Sequence, residues 1–293
     1  MTYHAGSRAV QDRVGVRDIA DHVGQIVGQD IRPVAVAFLE QQPMLVLGAV
    51  DPVSGAVWAS LLTGESGFVR ATGPRRISVT GGVRADDPLT TALRTPDTPV
   101  GTIALDPRTR RRMRLNGRSR PTARGLAIEA EQIFSNCPKY LQRRESYETV
   151  DRAAAPARQG VELTPEQREF IESSDTFFLA SVHEHGADAS HRGGNPGFVR
   201  ATSPSELSWR DYPGNSMFLT LGNLTVDPRA GLLFLDWASG SVLQLTGTAR
   251  TEFDRDGERT VRFTVAGVVE TPAASPLAWS DPEYSPANPE PAR

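Results

Sequence analysis

The sequence predicts a mainly β protein, built from two tandem copies of a small antiparallel barrel with inserted helices. Two observations carry this. The hexapeptide Gly67-Phe68-Val69-Arg70-Ala71-Thr72 recurs unchanged as Gly197-Phe198-Val199-Arg200-Ala201-Thr202. Around each copy, short runs rich in Val, Phe, Thr and Trp alternate with Gly, Pro, Asn and Asp, the punctuation of strands and turns.

The repeat extends well beyond the hexapeptide. At the same offset of 130 residues, Ala59-Ser60 matches Ala189-Ser190 and Gly64 matches Gly194. Pro74 matches Pro204, Leu105-Asp106 matches Leu235-Asp236, and Leu115, Gly117 and Arg120 match Leu245, Gly247 and Arg250. Upstream the offset becomes 132, where Pro33, Phe38, Leu39 and Glu40 match Pro165, Phe170, Ile171 and Glu172. The change falls at Asp51-Pro52-Val53-Ser54-Gly55, a turn, where length changes are tolerated.

Each unit reads in the same order. A short helix opens it; in the second copy Thr164-Pro165-Glu166-Gln167 is a capping box with Pro at the first helical position. A hairpin follows, with Thr176 to Val182 turning at Glu184-His185-Gly186 and returning toward Ser190. Gly197 to Thr202 and Glu206 to Trp209 are the next strands. Met217, Phe218, Leu221 and Leu224 predict a helix from Ser216 to Val226, ended by Asp227-Pro228. Gly231 to Trp237 and Val242 to Thr251 close the unit. Five or six strands of this kind predict a barrel closed on itself, leaving no free edge.

The rest of the chain divides around these units. Residues 1–30 form an N-terminal arm, 31–124 the first unit, 125–160 a connector and linker, 161–270 the second unit and 271–293 a Pro-rich tail. Leu126, Ala130, Ile133 and Phe134 give the connector a helical stripe. The tail is expected to be extended, with Trp279 and Tyr284 as anchors.

Composition narrows the function classes. Net charge is −3, from 32 Lys+Arg and 35 Asp+Glu, which gives no global case for nucleic acid or an acidic membrane. Lys139 is the only lysine, so arginine density carries less weight than usual. Cys137 is the only cysteine, which rules out an intrachain disulfide and a cysteine-built metal cluster. No apolar run reaches the roughly 18 residues of a membrane span, and residues 1–30 lack the apolar core of a signal peptide. A cytoplasmic protein is expected, without a nucleic-acid or membrane partner.

Three stretches of the second copy carry a family resemblance. They are Ala189-Ser190-His191-Arg192-Gly193-Gly194-Asn195-Pro196-Gly197-Phe198-Val199-Arg200, then Asp211-Tyr212-Pro213-Gly214-Asn215, then Leu221-Gly222-Asn223-Leu224 before Asp227-Pro228-Arg229. Together with Leu233 to Trp237 and Leu243 to Gly247, they resemble the pyridoxamine 5'-phosphate oxidase-like, FMN-binding split-barrel proteins. Trp58 to Gly64 and the connector Asn136-Cys137-Pro138-Lys139-Tyr140 are similar to the tandem-repeat branch of that family. The resemblance implies split barrels, FMN in a groove between two barrels, and an oxidoreductase acting on a small molecule. It also implies either a homodimer or a single chain supplying both barrels as a pseudo-dimer. Haem or a deazaflavin in the same fold, or a non-catalytic binding protein, are the alternatives. Thr220 stands where many flavin-binding relatives place a basic residue, and pyridoxamine phosphate, with its second phosphate, is not expected as substrate. Electrons would come from a separate reductase, from NAD(P)H or from the substrate itself.

The two copies differ where an anionic cofactor would sit. A phosphate needs cations and free N–H groups. The second copy offers His191 and Arg192, with Asn215 and Ser216 ahead of the expected helix; the first has Leu61-Leu62 and Asp86-Asp87 there. The expected cofactor contacts are therefore His191, Arg192, Asn215 and Ser216 near the phosphate, and Tyr212, Asn223 and Gln244 near the ring or ribityl chain. His191 and Arg192 are read as free of nearby acid. Simpler readings stand beside these. Arg70 and Arg200 suit a structural hydrogen bond, and Tyr212 suits packing under the helix. Arg108 to Arg114 reads either as a solvated hairpin or as an anion patch facing the second copy. His183 and His185 flank a turn, no metal site is expected, and no catalytic acid or base is assigned.

Overall fold

The structure, a computed structural model, describes residues 3–153, 155–255 and 257–290. Two helices, α1 (Ala5–Val14) and α2 (Arg17–Gly24), precede the first unit. That unit contains α3 (Pro33–Glu40), β1 (Met44–Val50), β2 (Val57–Thr63), β3 (Val69–Gly73), β4 (Arg76–Thr80), α4 (Thr90–Arg94), β5 (Thr98–Asp106), β6 (Arg111–Thr122) and β7 (Gly125–Ser135). The connector carries β8 (Arg143–Arg144), β9 (Tyr147–Thr149) and β10 (Arg158–Gly160). The second unit repeats the order as α5 (Pro165–Ser173), β11 (Thr176–His183), β12 (Gly186–Gly193), β13 (Val199–Ser203), β14 (Glu206–Arg210), α6 (Leu219–Val226), β15 (Arg229–Leu235), β16 (Val242–Phe253) and β17 (Arg259–Thr271). The tail ends in β18 (Leu277–Trp279) and β19 (Pro282–Glu283).

The duplication extends to the order of seven strands in each sheet, and β10 adds an eighth to the second by pairing with β17. The first sheet runs β2-β1-β5-β6-β7-β4-β3 and the second β12-β11-β15-β16-β17-β14-β13, all antiparallel. Both sheets carry a register shift at the matching glycines, Gly117 and Gly247. The expected closure is corrected: each sheet is an open path with terminal strands, a split barrel rather than a sealed one. Each unit wraps its own core, Leu47, Ile77 and Leu115 in the first and Phe177, Phe234 and Phe263 in the second.

Three sequence expectations change. Residues 125–135 are not helical but form β7, with Leu126, Ile128 and Ala130 facing inward. The register shift opposite Gly117 then adds a residue to the strand, so the next inward position is Ile133, and a period of two mimics a helical stripe. The helix expected from Ser216 starts only at Leu219, because Ser216 (φ 60°) and Phe218 (φ 53°) lie in the left-handed region. The second unit does not close at Thr251; β17 follows, and its inward Val261, Phe263 and Val265 complete the core. In the tail, β18 pairs with β9 and β19 with β8. Trp279 is buried against Trp237 and Tyr147, whereas Tyr284 is exposed.

The units meet face to face through a third apolar layer, in which Val46, Ala59 and Ile103 pack on Phe178, Ala180 and Leu233. The contact is reciprocal, like the isologous interface of a two-fold dimer. Gly101 lies on the Asp188 backbone and its counterpart Gly231 on the Trp58 backbone, and 58 and 188 are themselves counterparts at the 130 offset. A methyl group at Gly101 would sit 2.4 Å from Asp188 Cα, and one at Gly231 2.7 Å from Trp58 Cα. Both neighbours are backbone and cannot swing away. Gly231→Ala should therefore destabilise the protein by about 1–3 kcal/mol, read as a lower urea midpoint; an unchanged midpoint would show that the interface is looser than described.

Candidate functional site

Among the crevices along the seam between the units, two are related by the internal repeat. The larger has about 900 Å³ of empty volume, its open mouth included. The smaller has about 330 Å³.

The large cleft is floored by β6 from the first unit and β12 from the second. On β6 the side chains alternate. Met113 and Leu115 enter the first core, while Arg112, Arg114 and Asn116 turn toward the second unit. Three of the arginines in the 108–114 run, Arg108, Arg110 and Arg111, stay on or next to the hairpin, where Arg108 pairs with Asp106 and Arg110 with Glu283. The hairpin and anion-patch readings thus each describe part of the run. The connector loop 136–140 and the loop 211–219 form the opposite rims. Tyr140 Oη donates to Pro213 O at 3.0 Å, and the rings of Tyr140 and Tyr212 lie 5.1 Å apart, which links the rims.

Charge in this cleft is unevenly compensated. Arg114 donates both to Asp188 Oδ1 (3.2 Å) and Oδ2 (3.0 Å), and Asp188 also accepts from Asn116 and Thr220. Arg192 binds Asp211 Oδ1 at 2.6 Å, and Arg259 binds Asp211 Oδ2 at 3.0 Å. The expectation that His191 and Arg192 are free of nearby acid is corrected for Arg192, since the loop after β14 brings Asp211, 19 residues away in sequence, against it. Among the described residues Arg112 has no carboxylate partner: it donates to His191 Nδ1 (2.7 Å) and to the carbonyls of Cys137 (2.7 Å) and Lys139 (3.5 Å). Burial, with Arg114 and Arg192 nearby, pulls the Arg112 guanidinium down to about 9. Burial and the charges of Arg112, Arg192 and Arg114 push His191 well below the ordinary imidazole value, so it is neutral at pH 7.

Four N–H donors are left over. Nε of Arg112, Arg114 and Arg192, and Nε2 of His191, are shielded from solvent and have no hydrogen-bond partner among the described residues. Each such orphan costs about 1–3 kcal/mol in a folded protein. Strain collects here as well: Tyr140 (φ 61°), Ser216 and Phe218 all line the cleft in left-handed conformations, at about 1–3 kcal/mol each. Asn215 Oδ1 accepts from Met217 N and fixes the bend.

The site residues expected from sequence fall into three places. His191, Arg192, Tyr212, Asn215 and Ser216 share the large cleft. Asn223 lies apart, bonded to Ser181 and to His4 of the N-terminal arm, whose ring stacks on His183 at 4.8 Å. Gln244 lies in the small crevice, where it donates to Ala59 O, Ser60 Oγ and Asp87 Oδ2. That crevice is filled by its own side chains. Ser60 also bonds Asp87, burial pushes the Asp87 carboxyl up, and Leu61 and Val242 stand where the large cleft has His191 and Arg112. Arg70, read as structural, donates to Gly67 O at 2.9 Å. Arg112, Arg114 and Tyr140 are among the cleft residues that the candidate set omits. The signal was present in Arg112-x-Arg114-x-Asn116 around apolar Met113 and Leu115, the pattern of a strand with one polar face.

Against known proteins, the family model for pyridoxamine 5'-phosphate oxidase matches residues 163–274. No curated protein matches the chain. Among solved structures, a candidate pyridoxamine 5'-phosphate oxidase from Lactobacillus delbrueckii is 19% identical, with 37% of this chain and 94% of that one covered and a TM-score of 0.31. HupZ of Group A Streptococcus is 14% identical over 35% and 89%, with a TM-score of 0.30. An FAD-binding protein from Mesorhizobium loti is 11% identical over 40% and 97%, also with a TM-score of 0.30. Among the described residues, no helix is long and apolar enough to cross a membrane.

The neutral state of His191 has a consequence for stability. Its folded-state pKa lies below the unfolded value of 6.5, so folding favours the neutral ring. That contribution is complete above pH 6.5 and is lost progressively as pH falls below it toward the depressed folded value. The urea midpoint should fall on acidification from neutrality, and His191→Phe, which does not titrate, should flatten this slope. A slope equally steep in the variant would assign it to other groups.

Proposed function

We propose, on the premise that the second unit belongs to the pyridoxamine 5'-phosphate oxidase family, that the chain is a tandem member of it and a flavin-dependent oxidoreductase. In this reading the large cleft between its two units holds one FMN, and the chain acts on a small molecule. One observation carries this: four N–H donors of Arg112, Arg114, Arg192 and His191, closed off from water, line a single cleft in which, among the described residues, they are unpaired and Arg112 has no carboxylate partner. The donor set suits a phosphate, which accepts several N–H bonds at once and supplies the missing negative charge. The walls suit a flat ring system, with Tyr140 and Tyr212 at the mouth and Phe134, Met217 and Phe218 along the sides.

The flavin, when bound, supplies the electron transfer. The chain's own residues do the rest. Arg112, Arg114 and Arg192 bind and orient the phosphate end. Asp188 and Asp211 hold Arg114 and Arg192 in fixed positions. The Tyr140–Pro213 bridge and the Tyr pair narrow the mouth and exclude water. The small crevice takes no cofactor, since Asp87, Ser60 and Gln244 satisfy each other there.

Titration of the purified protein with FMN, followed by quenching of flavin fluorescence, tests this reading. One FMN per chain is expected. Arg112→Ala should weaken binding by about 10–100-fold, the range for losing a charged hydrogen bond. Asp87→Asn, in the other crevice, should leave it unchanged. A protein that ignores FMN, or that loses FMN through Asp87→Asn but not Arg112→Ala, would overturn the proposal.

A further inference from the structure

His191 is the only imidazole in the cleft, and its bonding fixes more than its location. Its Nδ1 lies 2.7 Å from Arg112 Nη1. A guanidinium N–H can only donate, so Nδ1 accepts and its lone pair is used. The ring's single proton then sits on Nε2, the atom that is buried without a partner. A second proton on Nδ1 would break the bond to Arg112 and set an imidazolium against a guanidinium. Around the ring stand Arg112 and Arg114 on β6, Arg192 on its own strand, Phe178 on β11, and Cys137, Lys139 and Tyr140 on the connector. Asp211, on the cleft, is held by Arg192 with Arg259, and Asp188, behind Arg114, is held by that arginine.

We propose that Arg112 is a positioning residue for His191, holding it as the neutral Nε2–H tautomer, so that the cleft selects the dianionic form of a phosphomonoester. This deepens the flavin reading and rests on it for the identity of the full ligand, but not for the anion chemistry. A neutral donor beside guanidiniums that stay charged at neutral pH keeps the site's charge constant around neutrality. Affinity then follows the ionisation of the ligand rather than of the protein. Burial and the neighbouring guanidiniums act on His191 in the same direction.

The test uses the full-length protein free of flavin, with ¹⁵N-labelled histidine. Ring-nitrogen resonances of His191 should show Nε2 protonated and Nδ1 bare, without titration from about pH 8 down to the ordinary imidazole value of about 6.5. Arg112→Met should let His191 titrate nearer the ordinary value or adopt the Nδ1–H tautomer. Phenyl phosphate is the binding probe, its second ionisation lying near pH 6; calorimetry should show affinity rising about tenfold from pH 5 to 7. An imidazolium signal near neutrality, or affinity rising on acidification, overturns the proposal, and the wild-type readouts decide it even if Arg112→Met does not fold. The two readings fail separately. Phenyl phosphate binding with the expected profile but no FMN binding sinks the flavin reading alone. FMN binding with a charged His191 sinks this inference alone.

Discussion

The close packing of the two sheets across the seam is the constraint on which the rest depends. Glycine at 101 and at 231 lets backbone meet backbone there, and the Val46, Ala59, Phe178 and Leu233 layer fills the remaining space. Neither unit could build the large cleft alone, because its floor takes β6 from one and β12 from the other. Arg112 and Arg114 come from the first unit, His191 and Arg192 from the second, and the bonds Arg112–His191 and Arg114–Asp188 cross the seam. A shift of the seam by one ångström would alter both bonds. Linking the two units in one chain removes the concentration dependence that a two-fold dimer would carry.

Duplication supplies two crevices, and the sequences have diverged so that their interiors differ in kind. In the small one, Gln244, Ser60 and Asp87 satisfy each other, and leucine and valine occupy the places of His191 and Arg112. Among the described residues, no side-chain polar atom lining it is buried without a hydrogen-bond partner. In the large one, orphaned donors on the floor and three left-handed non-glycine residues on the two rims accumulate around one cleft. A fold tolerates such a concentration of unfavourable terms where its surroundings over-determine the geometry, and it persists at sites that a ligand completes. The marker of the site is this asymmetry of satisfaction between two places that the repeat makes equivalent.

Much of this was legible in the sequence. The Gly67–Thr72 and Gly197–Thr202 repeat gave the unit count, and the Thr164–Gln167 capping box gave a helix start that the structure reproduces. Five of the seven expected contact residues share the cleft, because they lie in loops and strand ends adjacent to one another after folding. Asn223 and Gln244 could not be placed, since their directions depend on where α6 and β16 sit relative to the other unit, and sequence spacing within a unit does not contain that information. The strand β7 was hidden by its own irregularity: a period of two interrupted by one extra residue reads as a period near four. Asp211 was hidden differently. It is close to Arg192 only through the path of β13 and β14, and the pair is invisible until those strands are in register.

The charge of the cleft can be followed group by group, and the result explains why Arg112 matters most. Asp188 balances Arg114, and Asp211 balances one of Arg192 and Arg259. Arg112 is held by the carbonyls of Cys137 and Lys139 and by an imidazole nitrogen. Carbonyl and imidazole dipoles lower the cost of burying a cation, but they carry no net charge and leave its field intact. Had a carboxylate taken their place, the guanidinium would be equally well bonded and the cleft would be electrically quiet. Solvating Arg112 with neutral acceptors keeps it folded in while leaving a positive potential directed at whatever enters, and the chain total of −3 averages that local arrangement away.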